Sequence, residues 1–124
     1  MSWLKNRKLH KLVLQVPSKI TLYHSKSDED ETPFDVVVYN NTQKNIGNLE
    51  VVIESSKDIA VSINKNMKTP ANSSGLFDLK PNGRRFYIPQ VEILESAKDM
   101  DTLQVSLLMN KKKVIERQVS VEIR

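Results

Sequence analysis

The sequence predicts an all-β sandwich of seven to eight antiparallel strands, and three observations carry that expectation. Apolar residues alternate with polar ones in short runs bounded by turn signals, and almost no stretch keeps a helical period. The 124 residues contain no cysteine, so one packed core has to hold the fold without disulfides or thiolate metal sites. That length suits a single domain, read as a basic arm over residues 1–8 and a sandwich over residues 9–124.

The strands can be justified in order. Leu12, Leu14 and Val16 share one side until Pro17 interrupts them, a residue tolerated at an edge or a change of sheet; Ile20 and Leu22 then resume. Phe34, Val36 and Val38 form the next inward set with Val37 and Tyr39 behind them, so this strand is expected to be buried on much of both faces. Leu49, Val51 and Ile53 alternate with Glu50, Val52 and Glu54. Ile59, Val61 and Ile63 alternate with Ala60, Ser62 and Asn64, and each of these two strands is expected to have one mainly wet face. Residues 65–75 lack a period and read as a long loop around Pro70 and Gly75. Phe77 and Leu79 make a short strand, followed by the turn Lys80-Pro81-Asn82-Gly83. Between Arg84 and Leu94 the apolar phase slips from Phe86 and Ile88 to Val91 and Ile93, which predicts a bulge near Pro89. Leu103, Val105, Leu107 and Met109, then Ile115, Val119, Val121 and Ile123, form the clearest pair, a hairpin across residues 110–113.

Strands of this number and spacing fit an immunoglobulin-like Greek-key sandwich better than a closed barrel. Four phrases extend the likeness: Val16-Pro17-Ser18-Lys19-Ile20-Thr21-Leu22, a strand ending Tyr39-Asn40-Asn41, Ile46-Gly47-Asn48-Leu49-Glu50-Val51, and Leu79-Lys80-Pro81-Asn82-Gly83 before a strand. Together they resemble the bacterial and archaeal immunoglobulin-like modules of the CARDB kind. The resemblance implies a binding or spacer domain with no family catalytic residues, so no enzyme and no cofactor is expected.

Composition narrows the function further. The net charge of +4 gives a mild attraction to anionic partners, well short of a dedicated nucleic-acid binder. No apolar run approaches the ~20 residues of a membrane span. The stretch from Met1 to Lys11 is basic but lacks the apolar segment of a signal peptide. The chain as written therefore reads as cytoplasmic, or as secreted or cell-surface if it is a processed or excised fragment. His10 and His24 are the only histidines, neither stands near a Gly-x-Ser-x-Gly turn, and both read as solvated. The run Asp28 to Glu31 lacks the spacing and turn glycine of a calcium loop. Asn40-Asn41-Thr42 and Asn72-Ser73-Ser74 match the glycan-acceptor pattern and read as coincidences of Asn-rich loops.

A charge asymmetry remains. In an immunoglobulin-like sandwich the second-to-third connection and the last hairpin share one end, opposite the first connection. This places Lys44 with Lys111, Lys112 and Lys113, the candidate binding residues, opposite Asp28 to Glu31. No aromatic is interleaved with these lysines, which weighs against a single-strand stacking platform. The expected function is a non-enzymatic protein-binding or assembly module that works through sandwich edges or end loops. Its partner would be another protein or a second copy. The alternative is salt-sensitive binding of an anionic partner, nucleic acid or an acidic surface, at the basic end.

Overall fold

The computed structural model describes residues 12–23, 32–63, 71–94 and 99–124. The basic arm, both histidines and the acidic run lie outside the described residues. Strand segments are β1 Leu12–Gln15, β2 Lys19–Leu22, β3 Thr32–Pro33, β4 Val36–Asn40, β5 Ile46–Glu54, β6 Ile59–Ser62, β7 Ala71–Ser73, β8 Phe77–Leu79, β9 Arg84–Tyr87, β10 Gln90–Ile93, β11 Met100–Met109 and β12 Lys112–Ile123.

They merge into the two layers of an immunoglobulin-like sandwich. In the first layer, β3 and β4 are halves of one strand, and β9 and β10 are halves of another. The order is β1–β4–β9 in one half and β3–β10–β6 in the other. The halves meet where the Phe34 N–H donates to the Pro89 carbonyl at 3.2 Å, beside the expected irregularity. The second layer runs β2–β12–β11–β5, with β7 and β8 both on the far side of β5. Between the layers lies one core that includes Leu14, Val36, Val38, Leu49, Val51, Ile53, Val61, Leu103 and Val121. Each such side chain contributes about 1.5–3 kcal/mol by leaving water.

Three details differ from the sequence reading. β2 pairs parallel to β12, from Lys19 opposite Ser120 to Leu22 opposite Ile123, among otherwise antiparallel pairings. The cause is Pro17: without an N–H it cannot extend the ladder that β1 makes with β4, and the chain crosses to the other layer. Ala71–Ser73, within the expected loop, pairs with β5. It is anchored by Asn72, whose Oδ1 accepts the Ile63 N–H at 2.7 Å. Finally, Ser62 is buried and Ala60 half-buried, so β6 has no wet face of the expected kind.

Two turns fix the end of the sandwich where β4 leads into β5. Asn110 and Lys111 have φ of 53° and 67°, the left-handed pair that a two-residue type I′ hairpin requires. In the Pro81 turn, Asn82 has φ 58° and the Gly83 N–H donates to the Lys80 carbonyl at 2.9 Å. A Cβ on Gly83 would sit 2.9 Å from that same oxygen, so only glycine fits.

Candidate binding surface

Asn40 organises the basic end. It is fully buried at the last position of β4, and its amide nitrogen donates to the carbonyls of Lys44 (2.8 Å), Leu79 (3.1 Å) and Lys80 (3.0 Å). Its oxygen accepts from the Thr42 N–H and hydroxyl. One side chain thus ties the Lys44 loop to the Pro81 turn. The hairpin tip joins the same end, since Asn48 and Asn110 exchange a backbone and a side-chain hydrogen bond, each 3.0 Å.

The lysines predicted from sequence fare unequally there. Lys44 and Lys112 are exposed. Lys111 Nζ pairs with Glu50 at 3.3 Å, and Lys113 Nζ lies 3.8 Å from Glu54 and 3.7 Å from Glu116. Glu50 also accepts a short hydrogen bond from the Ser73 hydroxyl. That bond, aided by Lys111, holds the Glu50 carboxyl below its ordinary pKa against the opposing effect of burial. These ion pairs lie over the outer face of the β12–β11–β5 layer, because Leu49, Val51 and Ile53 take the inner one. The sequence reading omitted Lys80, Arg84 and Arg85, which the Asn40 bonds and the Pro81 turn bring to this end. The Arg-Arg pair directly after a turn was the available signal.

The other outer face is built differently. Register across β1, β4 and β9 sets Val13, Tyr39 and Arg84 in one rank, and Gln15, Val37 and Phe86 in the next. Gln15, Val16, Pro17, Ile20, Phe34, Asp35, Val37, Tyr39 and Phe86 enclose an open groove of about 580 Å³. Val37, only 6% exposed, is its floor. Phe86 and Ile88 are 54% and 60% exposed, so the apolar phase read before the slip at Pro89 faces water, while Val91 after it is buried. The inward residue of β9 is Tyr87, whose ring packs 5.7 Å from that of Phe77, and the Arg85 guanidinium lies 5.5 Å from the Phe77 ring centre. Arg84 lies 5.3 Å from the centre of the Phe86 ring, a cation–π contact that places charge at one end of an aromatic surface.

The acceptor asparagines of both glycan triplets, Asn40 and Asn72, are 0% exposed and hydrogen-bonded, which closes them to an enzyme that modifies the amide. Among the described residues no three His, Cys, Asp or Glu side chains converge as a metal would require. No helix among them is long and apolar enough to cross a membrane.

No protein-family model matches the chain, and no curated protein sequence does. Its shape is similar to solved structures. The N-terminal domain of PorA aligns with TM-score 0.55 at 10% identity, over 91% of this chain and 97% of that one. The CARDB domain of a Pyrococcus furiosus protein, solved in complex with di-metal ions, aligns with TM-score 0.53 at 8% identity, over 92% and 86%. An MSP family member of C. elegans aligns with TM-score 0.52 at 9% identity, over 90% and 97%. The resemblance to CARDB modules therefore holds at the level of the fold.

Proposed function

We propose that this chain is a non-enzymatic module that binds another protein through the outer face of its β1–β4–β9 layer. The observation that carries the reading is the exposure of Phe86 and Ile88 beside an open groove with an apolar floor. Large apolar side chains grouped in water mark surfaces that a partner covers. The fold, similar to that of the N-terminal domain of PorA, a CARDB domain and an MSP family member, is compatible with the reading. The test is partner capture from an extract of the source cells by wild type, by the variant carrying Phe86→Asp and Ile88→Asp, and by Lys44→Glu. Capture lost only in the double variant supports the reading. Capture retained in it overturns the reading.

A second reading rests on the basic end, where Lys44, Lys80, Arg84 and Lys112 are exposed around the Asn40 junction. There the chain would hold an anionic partner in a salt-sensitive way. Lys44→Glu combined with Lys80→Glu would then abolish binding to heparin or a labelled oligonucleotide at low salt. Failure of wild type to bind either one at low salt removes this reading.

A further inference from the structure

We propose that the groove over β4 recognises an extended segment of a partner protein bearing an acidic residue, a large apolar residue two positions away and a basic residue two positions beyond that. The inference rests on the protein-binding reading above and adds the chemistry of the occupant. Ranks on one face of a sheet are two residues apart, about 6.8 Å. An extended peptide has the same pitch, so its alternate side chains fall over successive ranks of β4.

Each rank offers a different chemistry. At the first, Arg84 presents a guanidinium, steadied over the Phe86 ring, whose N–H groups suit a carboxylate. At the second, Val37 forms the floor and Phe86 a wall of a groove whose volume lies in the range of ligand clefts, about 300–1,000 Å³. Past it, Asp35 lies exposed on the groove wall and supplies the opposite charge. Positive, apolar and negative thus follow one another from Arg84 on β9, past Val37 on β4, to Asp35 just before β4, and the complementary segment reads negative, apolar, positive. The groove fixes the order of charges in space, and because a peptide backbone is directional the bound segment runs one way along it.

Two capped peptides cover both directions: Ser-Glu-Ser-Trp-Ser-Lys-Ser and Ser-Lys-Ser-Trp-Ser-Glu-Ser. Binding is followed by amide chemical-shift perturbation on the whole chain. Wild type should prefer one peptide by at least about threefold. The variant combining Arg84→Glu and Asp35→Lys, both exposed sites, should prefer the other. Phe86→Ser should weaken the better peptide about tenfold, the loss expected for one apolar anchor. Equal binding of the two peptides, an unchanged preference after charge reversal, or binding of neither overturns the proposal. It is also overturned if light scattering shows a wild-type dimer that Phe86→Asp dissolves, which makes a second copy the occupant, or if an oligonucleotide fills the groove irrespective of Asp35→Lys. If the peptides fail while partner capture still depends on Phe86 and Ile88, only the recognition rule falls. If capture persists in that double variant, the face itself falls.

Discussion

The two outer faces of this sandwich are built on the same strand alternation and reach opposite ends. Over β12–β11–β5, Glu50 is engaged by Ser73 and Lys111, and Lys113 stands between Glu54 and Glu116, above a Ser106 that is wholly buried. Its charges are largely answered within the chain. Over β1–β4–β9, Arg84 borders Phe86, Tyr39 and a groove with an apolar floor, and Phe86 and Ile88 remain in water. The difference teaches that a cluster of lysines in sequence overstates the attraction a surface offers, because register can hand those lysines to neighbouring carboxylates. The exposed Phe86 ring has only the Arg84 guanidinium against it and keeps more than half of its area in water.

The largest expected effect comes from removing the support that both faces share. Asn40→Ala should cost about 3 kcal/mol, since the Leu79 and Lys80 carbonyls and the Thr42 N–H lose a partner at a buried site. Urea unfolding measures this, and a loss below about 1 kcal/mol would show that loop and turn are held independently. Next, Phe86→Asp with Ile88→Asp should reduce partner binding more than about tenfold. Stability should change by less than about 0.5 kcal/mol, as for other exposed sites.

On the closed face, Ser73→Ala should cost about 1 kcal/mol at neutral pH and leave partner binding unchanged. The sign with pH follows from Glu50, whose folded pKa lies below its unfolded one. Its contribution is full at neutral pH and disappears as pH falls through the folded value. The gap between wild type and Ser73→Ala should therefore close in acid, and a gap that widens there would contradict the assignment. The smallest effect is at the hairpin tip. Lys111→Gly relieves a left-handed backbone worth about 1 kcal/mol and loses a surface ion pair worth up to about 1 kcal/mol. Thermal unfolding should register a net stabilisation of about 0.5 kcal/mol or less.

How much of this was legible in the sequence differs between fold and surface. Alternation at Leu49, Val51 and Ile53 and at Leu103, Val105 and Leu107 placed core strands correctly, because burial of one face imposes a period of two. The CARDB-like phrases have a physical basis as well: Asn40, Leu79 and Lys80, separated in sequence, meet through one amide. β7 was not legible, since Ala-Asn-Ser has no apolar pattern and is held by ladder bonds and Asn72. That the apolar phase of Phe86 and Ile88 faces water was not legible, because alternation gives a phase but not which side is in. That choice depended on Tyr87 meeting Phe77, a contact between strands of different layers. Arg84 escaped notice for a related reason: Tyr39 becomes its neighbour only through register.

The crossing at Pro17 has a mechanical consequence. β2 and β12 run side by side in the same direction, framed by the Ser120 N–H on the Ser18 carbonyl and the Arg124 N–H on the Leu22 carbonyl, at 2.9 and 2.8 Å. The Lys19–Glu122 ion pair, 2.5 Å, joins them as well. A tension applied between residue 18 and residue 124 would draw the two strands lengthwise past one another. All their cross-links would then bear the load together and would not open one after another like a zip.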